Sequence, residues 1–157
     1  MYTNLGLTGA YIAWTALFIL LGGGTLGTLV VERWRLPKFY LLFGAAFFAY
    51  AIGWTAAYFT LHGTAGEWLG SLAGSVLMAM VFALGFGAVR SVLTLAAVLF
   101  VANSIAYFLG SVLYGAIRAP VGMLAWGLVY GLFLGAGIGA VLHICQASYS
   151  SRITGFT

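Results

Sequence analysis

Residues 121–142 read VGMLAWGLVYGLFLGAGIGAVL, an uncharged run flanked by Arg118 and Pro120 on one side and His143 on the other. A hydrocarbon core about 30 Å thick is crossed by about 20 apolar residues in a helix, and this run meets that length. Gly127, Gly131, Gly135 and Gly139 recur at every fourth position within it. Residues at i and i+4 share one side of a helix, so the run predicts a membrane-spanning helix with a shallow glycine groove along one face.

Four more uncharged runs of sufficient length precede it, over about 7–31, 39–61, 68–89 and 92–117. Each is continuous, whereas a barrel strand would alternate over about ten residues. The expected fold is an all-α integral membrane protein, a bundle of about five transmembrane helices in one domain, with 143–157 as a cytoplasmic tail. The Gly22-Gly23-Gly24 stretch marks the first span as one that could be broken or re-entrant. Met1–Gly6 lacks the basic segment of a secretory signal.

Composition agrees. The 157 residues are 64% hydrophobic and 5% charged, against roughly 25% charged in a soluble domain, and the mean hydropathy is +1.12. The net charge of +4 comes from six Lys/Arg against two acids. These cations sit singly or in one short cluster beside apolar runs, a pattern for lipid head groups rather than nucleic acid. Counted on alternate sides, Arg33, Arg35, Lys38, Arg90 and Arg152 fall together, with Arg118 alone opposite. The positive-inside bias then places the N-terminus outside and the C-terminus in the cytoplasm of a plasma or inner membrane. Trp34 and Tyr40 near one interface and Trp68 near the other suit aromatic belts.

Gly85-Phe86-Gly87-Ala88-Val89 resembles Gly137-Ile138-Gly139-Ala140-Val141, and 49–54 resembles 102–107. Either spans two–three and four–five form a parallel repeat of two hairpins, or the matches are chance in a chain with 23 glycines. Gly66, Gly70 and Gly74 make a second fourfold-spaced series, and Gly23/Gly27 a shorter one. Such faces serve packing within the bundle or association with a partner helix or a second copy.

Catalytic chemistry is poorly provided for. With these span limits no Asp, Glu, Lys or Arg lies inside a span; Glu32 sits beside Arg35 at one edge and Glu67 at the mouth of the third. That disfavours a proton-coupled carrier, for which buried carboxylates are the usual pointer. His62 and His143 fall near opposite ends of their spans, and His143 and Cys145 are too close in sequence to share a helix face, so no metal site is expected. Ser71, Ser75, Ser104 and Ser111 have no base beside them, and Gly22–Gly27 lacks the lysine of a phosphate loop. The lone Cys145 excludes an intrachain disulfide.

Asn103 and Ser104 are the most polar groups inside a span. They predict an interhelical hydrogen bond or, with Tyr107, Trp54 and Tyr58, the lining of a cavity or pathway. No cofactor is expected, although such a cavity would suit a lipid, quinone or pigment. Two functions follow: a non-catalytic structural or accessory subunit that self-associates or docks into a membrane assembly, or a channel or carrier for a neutral or hydrophobic small molecule.

Overall fold

A computed structural model describes the backbone of residues 4–30, 36–117 and 121–154, with side chains for 16–30, 37–117 and 121–148. The described residues form five α-helices and one short 3-10 turn, and no strand. These are α1 (Asn4–Gly27), α2 (Leu36–Leu61), α3 (Gly63–Gly85), α4 (Val92–Ile117) and α5 (Val121–Thr154). Four of them, α2 to α5, are long and apolar enough to cross a membrane, which makes this an integral membrane protein. In α1 the stretch with described side chains, Ala16–Gly27, is apolar but shorter.

α2 packs along α3, α3 along α4 and α4 along α5, with α1 more loosely against α2. The chain therefore builds up as successive antiparallel neighbours joined by very short links. His62 alone connects α2 to α3, with φ of 53° at His62 and 58° at Gly63. At the other end of α3 the chain leaves through Gly87, with φ of 67°. There Ala88 N–H donates to the Ala83 carbonyl at 2.7 Å and Gly87 N–H to that of Leu84 at 3.2 Å. This is the paired-bond helix end in which glycine supplies the left-handed residue.

That helix end corrects two expectations. The third span stops at Gly85, short of Val89, because Gly87 turns the chain. The quoted fragments are also not structural equivalents: Gly85–Val89 leaves a helix, while Gly137–Val141 continues one. α3 begins at Gly63, which brings Glu67 inside the helix. α1 runs unbroken through Gly22–Gly24. α5 continues to Thr154, so the segment expected as a tail from 143 is mostly helix. The proposed Glu32–Arg35 pair and the Trp34 belt position lie outside the described residues.

Glycine meets aromatic at most of the helix crossings. A Cβ added at Gly66 would lie 3.2 Å from the Tyr58 carbonyl, one at Gly70 3.1 Å from the Trp54 ring, and one at Gly74 2.7 Å from the Tyr50 ring. Tyr50, Trp54 and Tyr58 share one face of α2, so three rings lie along three glycines of α3. The same contact closes the α4–α5 hairpin, where a Cβ at Gly122 would lie 3.1 Å from the Tyr114 carbonyl and one at Gly110 2.8 Å from the Trp126 ring. Gly23 of α1 lies directly against the Tyr40 ring, whose hydroxyl donates to the Leu20 carbonyl at 3.0 Å. Small residues of this kind let helices without a hydrophobic drive between them gain van der Waals contact.

The largest buried side chains, Phe39, Phe43, Met78, Phe82, Leu95, Leu99, Leu134, Ile138 and Leu142, fill the half of the bundle toward Arg90. The opposite half, toward His62, is where polar groups collect.

Replacing Gly74 by Val inserts two methyls and a Cβ into the Tyr50 ring and carbonyl. Overpacking of this kind costs about 1–3 kcal/mol. The expected outcome is a lowered thermal unfolding midpoint in mild detergent, with Gly127→Val, which meets nothing within 4 Å, close to the parent.

Candidate functional site: a polar stripe between four helices

In hydrocarbon an amide or hydroxyl without a partner is costly, so the polar residues of α2 to α5 are driven toward one another. Asn103 of α4 is almost wholly buried. Its Nδ2 donates to Ser71 Oγ of α3 at 2.8 Å, and its Oδ1 accepts from the Tyr130 hydroxyl of α5 at 2.9 Å. Ser71 and Ser104 share a further hydrogen bond of 3.2 Å. The Tyr50 hydroxyl of α2 interacts with both Tyr130 and Asn103. The hydrogen bonds of this one asparagine join α3, α4 and α5, and Tyr50 brings α2 alongside them.

Toward the His62 end the stripe continues. The Tyr107 hydroxyl, on the helical turn after Asn103, donates to Glu67 Oε1 at 3.2 Å. Tyr58 also lies near enough to Tyr107 to interact electrostatically with it. Trp54 and Tyr58 stack with centroids 4.8 Å apart, and Trp126 and Tyr130 do the same at 5.0 Å. Beyond Asn103 in the other direction Ser75 is fully buried, and its Oγ has no hydrogen-bond partner. Past it lie only the apolar side chains of the core.

The expected cavity residues therefore fall into one stripe. Asn103 and Ser104 sit at its centre, Tyr107 at its Glu67 end, and Trp54 and Tyr58 along its α2 edge. Around Asn103 the polar groups bond to each other rather than surround a space. Ser71 was recognisable as a hydroxyl without a base, but its pairing with Asn103 requires the α3–α4 packing. Tyr50 and Tyr130 were not singled out, although their fourfold spacing from Trp54 and Trp126 placed them on the same helix faces.

Elsewhere the side chains are apart. His62 lies exposed in its turn and His143 exposed near the far end of α5, while Cys145, on another face of α5, is fully buried. Among the described residues no three His, Cys, Asp or Glu side chains come together. A Cβ added at Gly127, Gly131 or Gly135 would meet nothing within 4 Å, and one at Gly139 only Leu26 at 4.0 Å. An open groove of about 470 Å³ lies between α4 and α5, with Val98, Val101, Ala102, Phe133 and Gly137 among its walls.

Asn103→Leu would remove both bonds and leave Ser71 and Tyr130 to find others. Interhelical hydrogen bonds in membranes contribute about 0.6–2 kcal/mol. A loss of that size is expected when unfolding is titrated in mixed micelles, and Ser111→Ala, which loses only a bond to the Tyr107 carbonyl within α4, should lose less.

Compared with known proteins, the chain matches no family model, no curated protein and no solved structure.

Proposed function

We propose that this is a non-catalytic polytopic membrane protein that works by lateral association, with a second copy or with the helices of a larger membrane assembly. The observation that carries this reading is the contrast between the two glycine series. Gly66, Gly70 and Gly74 are filled by Tyr58, Trp54 and Tyr50 of the same chain, whereas Gly127, Gly131 and Gly135 meet nothing. Leu124, Leu128 and Leu132, each following the groove around the helix, are strongly exposed. A glycine groove beside a leucine ridge is the surface on which a second helix gains close backbone contact. The glycines cost α5 helix propensity without a matching contact inside the chain.

In this reading all five helices cross the bilayer, the Lys/Arg-rich end with Lys38 and Arg90 faces the cytoplasm, and the N-terminus lies outside. The two hairpins closed by Tyr58 on Gly66 and Tyr114 on Gly122 support a plan of paired hairpins with α1 as the extra helix.

The second reading, a channel or carrier for a neutral or hydrophobic solute, is supported by the polar stripe itself, since Asn103 stands near the middle of α4. The mutual satisfaction of its groups weighs toward a structural role.

Gly131→Ile with Gly135→Ile tests the first reading. A Cβ at either position meets nothing within 4 Å, so folding should be retained. The apparent dissociation constant of the assembly, from energy transfer between labelled copies in vesicles and from co-purifying subunits, should rise at least tenfold. Unchanged assembly with both partners would remove lateral association through α5. Flux of uncharged solutes into vesicles that is lost in Asn103→Leu would establish the second reading instead.

A further inference from the structure

The carboxylate of Glu67 is a feature that neither helix packing nor a neutral stripe accounts for. It lies on the fifth residue of α3, half-buried, and turned toward α4 rather than into solvent, as its bond from the Tyr107 hydroxyl shows. Its depth follows from α4. Ser91 and Ser148 meet beside Arg90 at one end of the bundle, and from there α4 rises about 24 Å to Tyr107 at about 1.5 Å per residue. A hydrocarbon core is about 30 Å thick. With the Arg90 end taken as one face of the slab, Glu67 falls several ångströms inside the other face. Beside it α4 runs on from Tyr107 to Ile117, about 15 Å further, so the taller α4–α5 hairpin overhangs the shorter one that carries Glu67.

A charged group at that depth requires a partner. Among the described residues none is a Lys or Arg within ion-pair reach; Lys38 and Arg90 lie at the opposite end. One phenol donor does not neutralise a carboxylate. Aromatic rings stand nearby: Tyr107 bonds to Glu67, and Tyr58 interacts with Tyr107 and stacks on Trp54. Tyr58, Trp54 and Tyr107 are each partly exposed, and Tyr58 packs on Gly66, the residue next to Glu67.

We propose that Glu67, Tyr107, Tyr58 and Trp54 form a binding site for an alkylammonium group. One carboxylate with aromatic rings suits a large cation of low charge density, which is drawn to ring faces and keeps little hydration. It does not suit calcium or magnesium, which take six or more oxygen ligands. The site lies at the level where the ammonium of a zwitterionic lipid head group and an amphiphilic ammonium solute both arrive, and the recognition chemistry is the same for either. It stands apart from the α5 groove and does not depend on lateral association.

The test uses the full chain in a maltoside detergent, titrated with tetramethylammonium and with sodium as control. Two readouts apply: tryptophan fluorescence, and the infrared band of carbon-13 glutamate, of which the chain has only Glu32 and Glu67. A saturable change in both with tetramethylammonium, absent with sodium, is expected. Glu67→Gln, which can still accept from Tyr107, should weaken it at least tenfold, and Tyr107→Phe by several-fold. Should Glu67→Gln not fold, the infrared shift in the parent chain decides by itself. Repeating the titration in phosphatidylglycerol nanodiscs with and without phosphatidylethanolamine distinguishes the sources. Competition by the ethanolamine lipid identifies a head group, and an unaltered response identifies a free solute. No saturable response in the parent chain, or one unchanged by Glu67→Gln, would overturn the proposal. So would a response that arises only in Arg118→Gln, since the carboxylate would then be paired within the chain.

Discussion

Asn103 is the point on which the arrangement of α2 to α5 depends. Its amide N–H donates to Ser71 and its amide oxygen accepts from the Tyr130 hydroxyl, while Tyr50 interacts with it from the remaining helix. In water such bonds exchange freely with solvent, and their net worth is small. Inside hydrocarbon there is no solvent to replace them, so the choice is between this set of partners and none. The bonds thereby select a rotation and a height for each helix, something apolar side chains facing apolar lipid do poorly.

The glycines complete that selection by distance. A ring of Tyr50 or Trp54 fits against α3 only because Gly74 and Gly70 present bare backbone. The close α2–α3 approach in turn sets Ser71 where Asn103 can reach it. Aromatic rings fill the notches with few rotatable bonds, which suits a protein whose helices gain little from expelling water. The same pairing recurs at Gly110 with Trp126, with ring and glycine exchanged between the first and second helix of the hairpin. Packing and polar contacts are thus two parts of one constraint.

Along the bundle the two halves differ. Toward Arg90 the largest fully buried side chains among the described residues are Phe, Leu, Ile and Met. Toward His62 the interior holds hydroxyls, an amide and a carboxylate. Ser75 marks the border, polar but without a partner. The polar stripe therefore ends at mid-bundle instead of running from one end of the helices to the other.

Membrane residence and the helical class were legible in the sequence because five charged-residue-free runs of about twenty residues admit no other fold in lipid. The fourfold glycine spacing was legible too, since helix periodicity converts sequence interval directly into a face. What that spacing could not say is which face is used. Gly66, Gly70 and Gly74 look the same in sequence as Gly127, Gly131 and Gly135, and only the position of α2 separates the filled series from the open one. Asn103 stood out by its chemistry, whereas its partners Ser71, Tyr130 and Tyr50 depended on contacts between residues far apart in the chain. Glu67 was read as lying outside the third span because hydropathy marks where apolar residues begin. The helix itself begins earlier, where the backbone of His62 and Gly63 turns, and that turn carries the carboxylate into the bundle.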